Sequence, residues 1–183
     1  MNNTYDGEIK LITGPMFSGK TSELIRRYKR YKLNNKNKCL LIKYKGDTRY
    51  SENEIITHDH IKIEAFKCEF LKELDNIINN YNIICIDEIQ FFHDAINYCE
   101  KWANQGKIIE CCGLNGTFER KPFDIITNLI PLVTDITYLS AVCKNNGNNA
   151  HYSFRLNANK NIKLIGGEKE YTPVDRITYF TNS

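Results

Sequence analysis

The chain has 183 residues, of which 42% are hydrophobic and 26% are charged, and this composition excludes collagen-like and disordered proteins. Its formal net charge of +3 is too small to indicate nucleic acid as the main partner, because nucleic-acid-binding domains are usually strongly basic. It has neither an apolar run of about 18 residues, which a membrane span needs, nor a basic and then apolar leader. We therefore expect a globular cytoplasmic protein with no membrane partner.

The elements in chain order indicate a βαβ organisation. Short apolar runs alternate with helical patterns through the first two thirds of the chain, which is typical of a mainly parallel sheet. Strands are predicted at residues 8–13, 38–43, 61–66, 83–86, 107–114 and 135–142. Helices are predicted at residues 21–33, 71–81 and 94–104, where apolar residues recur at helical spacing. The sequence therefore predicts an α/β fold in which helices cover a mainly parallel sheet.

The composition changes at about residue 143. An asparagine-rich stretch begins there and predicts a long loop, and two strand-like runs follow at residues 162–165 and 174–180. We divide the chain into a nucleotide-binding core, residues 1–142, and a small β-rich C-terminal domain, residues 143–183.

Residues 14–21 read GPMFSGKT and match the phosphate-binding pattern G-x-x-x-x-G-K-[ST] between a predicted strand and a predicted helix. In such a P-loop, backbone N–H groups converge on phosphate oxygens and the positive end of the following helix faces the same anion. We predict that Lys20 reaches the β- and γ-phosphates of a nucleotide and that the Thr21 hydroxyl ligates Mg²⁺. The alternative is a glycine turn that binds nothing. The predicted cradle comprises Gly14, Pro15, Met16, Phe17, Ser18, Gly19, Lys20 and Thr21.

An acidic pair follows the predicted strand at residues 83–86. Asp87 would lie at the carboxyl end of that strand, where P-loop enzymes place a carboxylate that ligates Mg²⁺ or holds one of its ligands. Glu88 is a candidate general base, because proton transfer needs a carboxylate within hydrogen-bond reach of the reacting hydroxyl. The alternative is a solvated pair that caps a helix.

Other charged and thiol groups have simpler interpretations. The basic residues at 26–32 include Tyr28, which falls on the apolar face of the predicted helix, so the charges form a solvated face rather than a nucleic-acid site. The seven cysteines lie mostly in apolar stretches and are expected to be reduced thiols that pack in the core. The four histidines have no metal-ligand spacing with the cysteines.

Six segments together resemble the type II thymidine kinases, the cytosolic and large-DNA-virus kind. They are GPMFSGKT, KGDTRYS at 45–51, IDEIQFF at 86–92, GLNGTFERKPF at 113–123, LSAVC at 139–143 and IGGEKEY at 165–171. The resemblance implies phosphoryl transfer from ATP to the 5′-hydroxyl of thymidine, with Mg²⁺. It also implies a RecA-like P-loop core, a small domain that carries a lasso-shaped loop, and a homotetramer.

The resemblance assigns roles to individual residues. Glu88 resembles the general base, and Lys20, Thr21 and Asp87 resemble the groups that bind phosphate and Mg²⁺. Asp47 and Arg49 match positions near the phosphates, and we count Arg49 as catalytic with Glu88 and Lys20. Side chains that match the thymine pocket are Met16, Leu114, Phe118, Phe123 and Tyr152, of which Leu114 and Phe123 could alternatively be core residues. Backbone groups that resemble those bonded to the base lie at Ser140, Ile162, Lys163, Leu164, Ile165 and Gly166.

The chain departs from the family at one place. Family members bind a structural zinc through two C-x-x-C pairs, whereas the matching positions here are Cys143, Asn146, Asp175 and Thr178. Structural zinc sites depend on Cys and His ligands, and only Cys143 remains, with His151 as a possible substitute ligand. We therefore expect no bound zinc, and a lasso held by hydrogen bonding, packing and substrate.

Two other functions were considered. A nucleotide-binding relic or regulatory ATP-binding module would follow if the lasso could not be ordered, but the retained Lys20, Asp87, Glu88 and Phe118 argue against it. A nucleic-acid ATPase would use the Asp-Glu-Ile-Gln segment at 87–90, but helicases of that kind need two such cores. Stimulation of ATP turnover by nucleosides, rather than by DNA or RNA, would discriminate between them.

Overall fold

The structure, a computed structural model, describes residues 7–47, 54–56, 62–156, 167 and 169–181. The strands are β1 Glu8–Gly14, β2 Cys39–Tyr44, β3 Glu54–Ile56, β4 Lys62–Glu64, β5 Phe66–Cys68, β6 Ile83–Ile86, β7 Ile108–Leu114, β8 Asp135–Tyr138, β9 Ala141–Val142, β10 Asn149–Ala150, β11 Tyr152–Arg155 and β12 Tyr171–Val174. The α-helices are α1 Lys20–Lys32, α2 Ala95–Ala103, α3 Asp124–Leu129 and α4 Arg176–Thr181. Short 3₁₀ turns span Leu71–Leu74, Ile78–Asn80, Ile89–Phe91 and Ile130–Leu132.

Six strands form one sheet in the order β5-β2-β6-β7-β1-β8, and every neighbouring pair is parallel. The predicted α/β fold with a parallel sheet is confirmed. Because the strands are parallel, the carboxyl ends of β1, β6 and β7 lie at one edge, where ligands bind in folds of this class.

Helices and turns cover both faces of the sheet. On one face Leu24, Ile25 and Tyr28 of α1 pack against the sheet, while Arg26, Lys29 and Arg30 are exposed, as the helical pattern predicted. On the other face α2, α3 and the 3₁₀ turns cover a larger core that contains Trp102 and Phe92. No helix among the described residues is long and apolar enough to cross a membrane.

The prediction of a helix at residues 71–81 is wrong. The segment forms two 3₁₀ turns, Leu71–Leu74 and Ile78–Asn80. The spacing of three between Leu71 and Leu74 suits a 3₁₀ turn as well as an α-helix, and both side chains are buried. The Asp94 carboxylate accepts hydrogen bonds from the backbone N–H groups of residues 71 and 72, and this tertiary contact satisfies the first N–H groups of the turn.

Two predicted strands are each divided in the structure. The run at residues 61–66 is interrupted at Ala65, because β4 forms an antiparallel pair with β3 whereas β5 joins the edge of the main sheet. The run at residues 135–142 is interrupted at Leu139 and Ser140, because β8 pairs with β1 and β9 pairs with β10. Apolar alternation cannot distinguish one long strand from two that have different partners.

The C-terminal prediction is partly wrong. Residues 174–180 were predicted as a strand, but α4 Arg176–Thr181 occupies most of them. The Asp175 carboxylate accepts the Thr178 N–H at 2.8 Å, which is the contact of a helix N-cap. The predicted loop after residue 143 contains β10 and β11. The strand predicted at residues 162–165 lies outside the described residues.

A buried ion pair links α1 to the sheet. Glu110 on β7 is 2% exposed, and its carboxylate lies 2.9 Å from Arg27 Nη1 and accepts the Tyr31 hydroxyl at 2.8 Å. Burial and the Glu110 carboxylate raise the pKa of Tyr31 to about 12. These contacts satisfy a charged group inside the packing between α1 and β7.

Glu110→Ala is expected to lower the free energy of unfolding by about 2 kcal/mol, because Arg27 then keeps only its half-buried ion pair with Glu23 and the Tyr31 hydroxyl loses its acceptor. Chemical denaturation measures this loss. The matched control is Asp75→Ala, which removes an exposed 2.7 Å ion pair with Lys101 and should change stability little. Equal losses in the two variants would contradict a stabilising role for the buried pair.

Candidate active site

The P-loop joins β1 directly to α1 and brings together the eight predicted cradle residues. Gly19 has φ of 81°, a left-handed conformation that glycine adopts most easily, and α1 begins at the next residue. The Lys20 ammonium donates to the Pro15 carbonyl at 2.6 Å and lies 3.5 Å from Ser18 Oγ. The positive charge is thus held over the loop, at the end of the helix that favours anions.

Asp87 and Thr21 meet as the sequence predicted for a Mg²⁺ site. Asp87 follows β6 and is buried, and its Oδ1 accepts the Thr21 hydroxyl at 3.0 Å. Because the Thr21 hydroxyl hydrogen points at the carboxylate, the lone pairs of the hydroxyl oxygen are available to coordinate a cation. Hydroxyl and carboxylate oxygens are hard donors that suit Mg²⁺, so this pair fits the cation.

Cys112 is a site residue that sequence reasoning assigned only to core packing. Its Sγ donates to the same Asp87 Oδ1 at 2.8 Å. Burial, with the neighbouring Asp87 carboxylate, raises the pKa of Cys112 well above its ordinary value, so the thiol keeps the proton that it donates. Only the neighbouring position of β6 and β7 in the sheet could have indicated this contact.

Glu88 has an unusual backbone conformation. Its φ of 54° and ψ of 46° are left-handed, and such values in a non-glycine residue are strained and concentrate at functional sites. The side chain is half-buried, and its Oε2 accepts a hydrogen bond from Gln90 Nε2 at 2.6 Å. The structure thus gives the predicted base a defined conformation at the carboxyl edge of the sheet.

Two residues of the predicted thymine pocket contact partners that the sequence did not indicate. The Met16 N–H donates to Ser153 Oγ on β11 at 3.0 Å, which ties the P-loop to the C-terminal domain. The Phe118 ring lies 3.9 Å from the Arg155 guanidinium carbon, within the range of a cation–π contact. Arg155 also donates to the Tyr171 hydroxyl. Ser153, Arg155 and Tyr171 are additional candidate site residues.

The remaining predicted site residues lie in several parts of the structure. Leu114 ends β7 and is half-buried, and Phe123 packs against the main core. Tyr152 packs in the small domain with its ring 5.6 Å from that of Tyr179, and Ser140 is exposed. Asp47 is buried. The predicted residues Arg49, Ile162, Lys163, Leu164, Ile165 and Gly166 lie outside the described residues.

The four positions that the resemblance matches to zinc ligands meet through hydrogen bonds. Asp175 Oδ2 accepts from the side-chain amides of Asn146 at 2.8 Å and Asn148 at 3.1 Å. Cys143 Sγ lies 3.6 Å from Thr178 Oγ1, and the hydrogen bonds from Thr178 and the two asparagines lower the pKa of Asp175. We call this group the Asp175 cluster.

The Asp175 cluster does not fit zinc. Its donor set contains a single sulfur, and its carboxylate already accepts three N–H groups. Within the part of the chain that the structure describes, no group of three or more His, Cys, Asp and Glu side chains could hold a metal ion. The His151 ring lies near that of Tyr138, with 5.9 Å between the ring centroids.

The chain matches one protein family over most of its length. The family model described as thymidine kinase matches residues 7–179. The chain is 47% identical over 177 residues to thymidine kinase 1 of Dictyostelium discoideum, covering 94% of this chain and 78% of that protein. It is 45% identical over 176 residues to the thymidine kinase of rabbit fibroma virus (strain Kasza), covering 96% and 98%. It is 44% identical over 174 residues to the cytosolic thymidine kinase of Homo sapiens, covering 95% and 74%.

Among solved structures, the Legionella pneumophila ATPase DotB is similar with a TM-score of 0.46 and 14% identity, covering 79% of this chain and 44% of that one. The TM-score and the identity are too low to support a conclusion about this chain.

Metal analysis of the purified protein is expected to find no stoichiometric zinc, because the Asp175 cluster lacks the ligands for it. A strong zinc chelator should then leave the thermal unfolding midpoint unchanged. One zinc per chain would contradict this expectation.

Asp175→Ala is expected to lower the thermal unfolding midpoint, because it removes the acceptor of three N–H groups and the N-cap of α4. Since the folded-state pKa of Asp175 is lowered, its contribution is present above the unfolded pKa of about 3.9 and is lost as the pH falls below it. The difference between variant and parent should therefore shrink at acidic pH. Asn145→Ala, in the exposed turn beside it, is the control.

Proposed function

Because the chain belongs to the thymidine kinase family, we propose that it transfers the γ-phosphoryl group of ATP to the 5′-hydroxyl of thymidine, giving dTMP and ADP. The observation that carries the proposal is the Thr21–Asp87 hydrogen bond of 3.0 Å beside Lys20 and Glu88. This arrangement puts a phosphate cradle, a candidate cation site and a carboxylate base at one edge of the sheet.

The P-loop provides the phosphate site in this proposal. Backbone N–H groups of residues 17–21 and the Lys20 ammonium stabilise the charge of the β- and γ-phosphates. Thr21 and Asp87 would hold Mg²⁺, which when bound neutralises charge on the transferring group. Arg49 is proposed as a further cation near the phosphates, from the resemblance of the KGDTRYS segment. Positioning and charge stabilisation are expected to supply most of the acceleration.

Glu88 acts as the general base. Its carboxylate accepts the proton of the 5′-hydroxyl as the oxygen attacks the γ-phosphorus. The left-handed backbone of Glu88 and its 2.6 Å hydrogen bond with Gln90 support this role, because a base must be held within hydrogen-bond reach of the hydroxyl.

The thymine ring is proposed to bind beside Phe118. The Arg155 guanidinium, which also donates to the Tyr171 hydroxyl, lies over one face of the Phe118 ring, and Tyr179 donates its hydroxyl hydrogen to the Phe118 carbonyl at 2.8 Å. An aromatic plane with few polar groups suits a pyrimidine. The other proposed wall and backbone positions are Met16, Leu114, Phe123, Tyr152, Ser140, Ile162, Lys163, Leu164, Ile165 and Gly166.

We also propose an assembly and a location for the protein. The resemblance suggests a homotetramer, and the name of the human relative, with seven cysteines that are free thiols, supports the cytoplasm. A separate cluster of Ala141, Cys143, Ala150 and Val174 supports a small C-terminal domain that begins close to residue 143. No nucleic-acid partner is proposed.

A panel of deoxynucleosides tests the proposed function. The purified protein is incubated with ATP, Mg²⁺ and each deoxynucleoside, and the monophosphate product is quantified. We expect thymidine to give dTMP. Absence of any nucleoside monophosphate would overturn the proposal, and ATP turnover stimulated by DNA or RNA instead would favour a nucleic-acid ATPase.

Glu88→Gln is expected to lower kcat by about 10² to 10⁴, because the amide cannot accept the hydroxyl proton. The KM for ATP should remain near its parent value, since the P-loop is unchanged. Steady-state kinetics measures both constants, and Glu100→Gln on the exposed side of α2 is the control. Unchanged turnover in Glu88→Gln would remove this residue from the base role.

A further inference from the structure

Gln90 is a buried polar side chain next to the proposed base. It lies two residues after Glu88 in the 3₁₀ turn Ile89–Phe91 and is 5% exposed. A buried amide is costly unless its hydrogen-bonding groups are satisfied, so its partners indicate what it does.

Both ends of the Gln90 amide have identified partners. Oε1 accepts the backbone N–H of Leu114 at the end of β7, at 3.3 Å, and Nε2 donates to Glu88 Oε2 at 2.6 Å. The Leu114 N–H needs an acceptor, which in the amide is Oε1, and the Glu88 carboxylate needs a donor, which is Nε2. The two contacts therefore assign the same orientation to the amide. Gln90 therefore joins the carboxylate of Glu88 to the end of β7.

A side chain at residue 113 of β7 would collide with the Gln90 amide. A Cβ atom at residue 113 would lie 2.6 Å from Gln90 Oε1, 2.8 Å from Ile126 Cδ1 and 2.9 Å from Ile89 Cγ2. Gly113 thus allows the amide to lie directly against the strand. A hydrogen bond from the Phe91 N–H to the Glu88 carbonyl at 3.1 Å closes the turn. The turn brings the Gln90 side chain close to the Glu88 side chain.

We propose that Gln90 is a positioning residue that holds the Glu88 carboxylate in one orientation for proton acceptance and ties that orientation to β7. This inference rests on the proposed role of Glu88 as general base. A carboxylate that is oriented before substrate binds loses less entropy in the transition state, and small misplacements of a reacting group are costly. Gln90 acts through Glu88 and does not itself contact the reacting atoms.

Two variants separate the ends of the amide. Gln90→Glu keeps the length of the side chain and an oxygen for the Leu114 N–H, but it replaces the donor with a second carboxylate. Two carboxylates this close share a proton, so Glu88 is less available as an acceptor and the rise of kcat with pH should move to higher pH. Gln90→Met keeps a similar length and offers neither a donor nor a strong acceptor. We expect each variant to lower kcat about 10-fold or more, while the KM for ATP stays near its parent value. Gln105→Glu, an exposed residue after α2, is the control and should match the parent.

A double-mutant cycle distinguishes positioning from a structural role. If Gln90 acts through Glu88, then Gln90→Glu and Gln90→Met should lower kcat little or not at all in a Glu88→Gln background. A merely structural contribution would reduce kcat by the same factor in both backgrounds. Thermal unfolding and ATP binding establish that each variant is folded. If Gln90→Met does not fold, the cycle is measured with Gln90→Glu alone.

Two results would overturn the inference while leaving the proposed function intact. They are parent-like kcat in both Gln90 variants, and an equal kcat loss in the presence and absence of the Glu88 carboxylate. Full turnover by Glu88→Gln is a different failure, because it would overturn the general-base proposal and with it the route by which Gln90 acts.

Discussion

The hydrogen bond from Thr21 to Asp87 is the contact on which the site depends. It joins the start of α1 to the end of β6 across 66 residues of sequence, although β7 lies between β6 and β1 in the sheet. Cys112 on β7 donates to the same carboxylate oxygen. Three elements therefore converge on a single oxygen, and this is possible because parallel strands bring their carboxyl ends to one edge.

The C-terminal domain is attached to this edge by polar contacts. Ser153 accepts the Met16 N–H of the P-loop, and Tyr179 donates to the Phe118 carbonyl. Within the domain, Asp175 joins the turn between β9 and β10 to the start of α4. The cluster is joined by directional hydrogen bonds to one carboxylate. Each bond is individually modest, and their combined effect depends on the carboxylate being ionised.

The sequence predicted the elements whose signals are local. The strand, glycine-rich turn and amphipathic helix around Lys20 are contiguous, and the apolar run that ends at Asp87 is short and complete in itself. Prediction was wrong where a local pattern fits two structures, as at residues 71–81, where the spacing of Leu71 and Leu74 suits both a 3₁₀ turn and an α-helix. It was also wrong at residues 174–180, where Asp175 caps a helix over residues that alternate like a strand.

By itself, the sequence determined the fold class and located the candidate phosphate cradle, the acidic pair and the four positions where the ligand types expected for zinc are mostly replaced. These features follow from residue type and short-range spacing. The tertiary structure alone decided that Cys112 contacts Asp87, that Gln90 contacts both Glu88 and Leu114, and that Arg155 lies over Phe118. Each of these contacts depends on which strands and turns become neighbours in space. Side-chain periodicity does not encode that information, because it reports only which face of an element is buried.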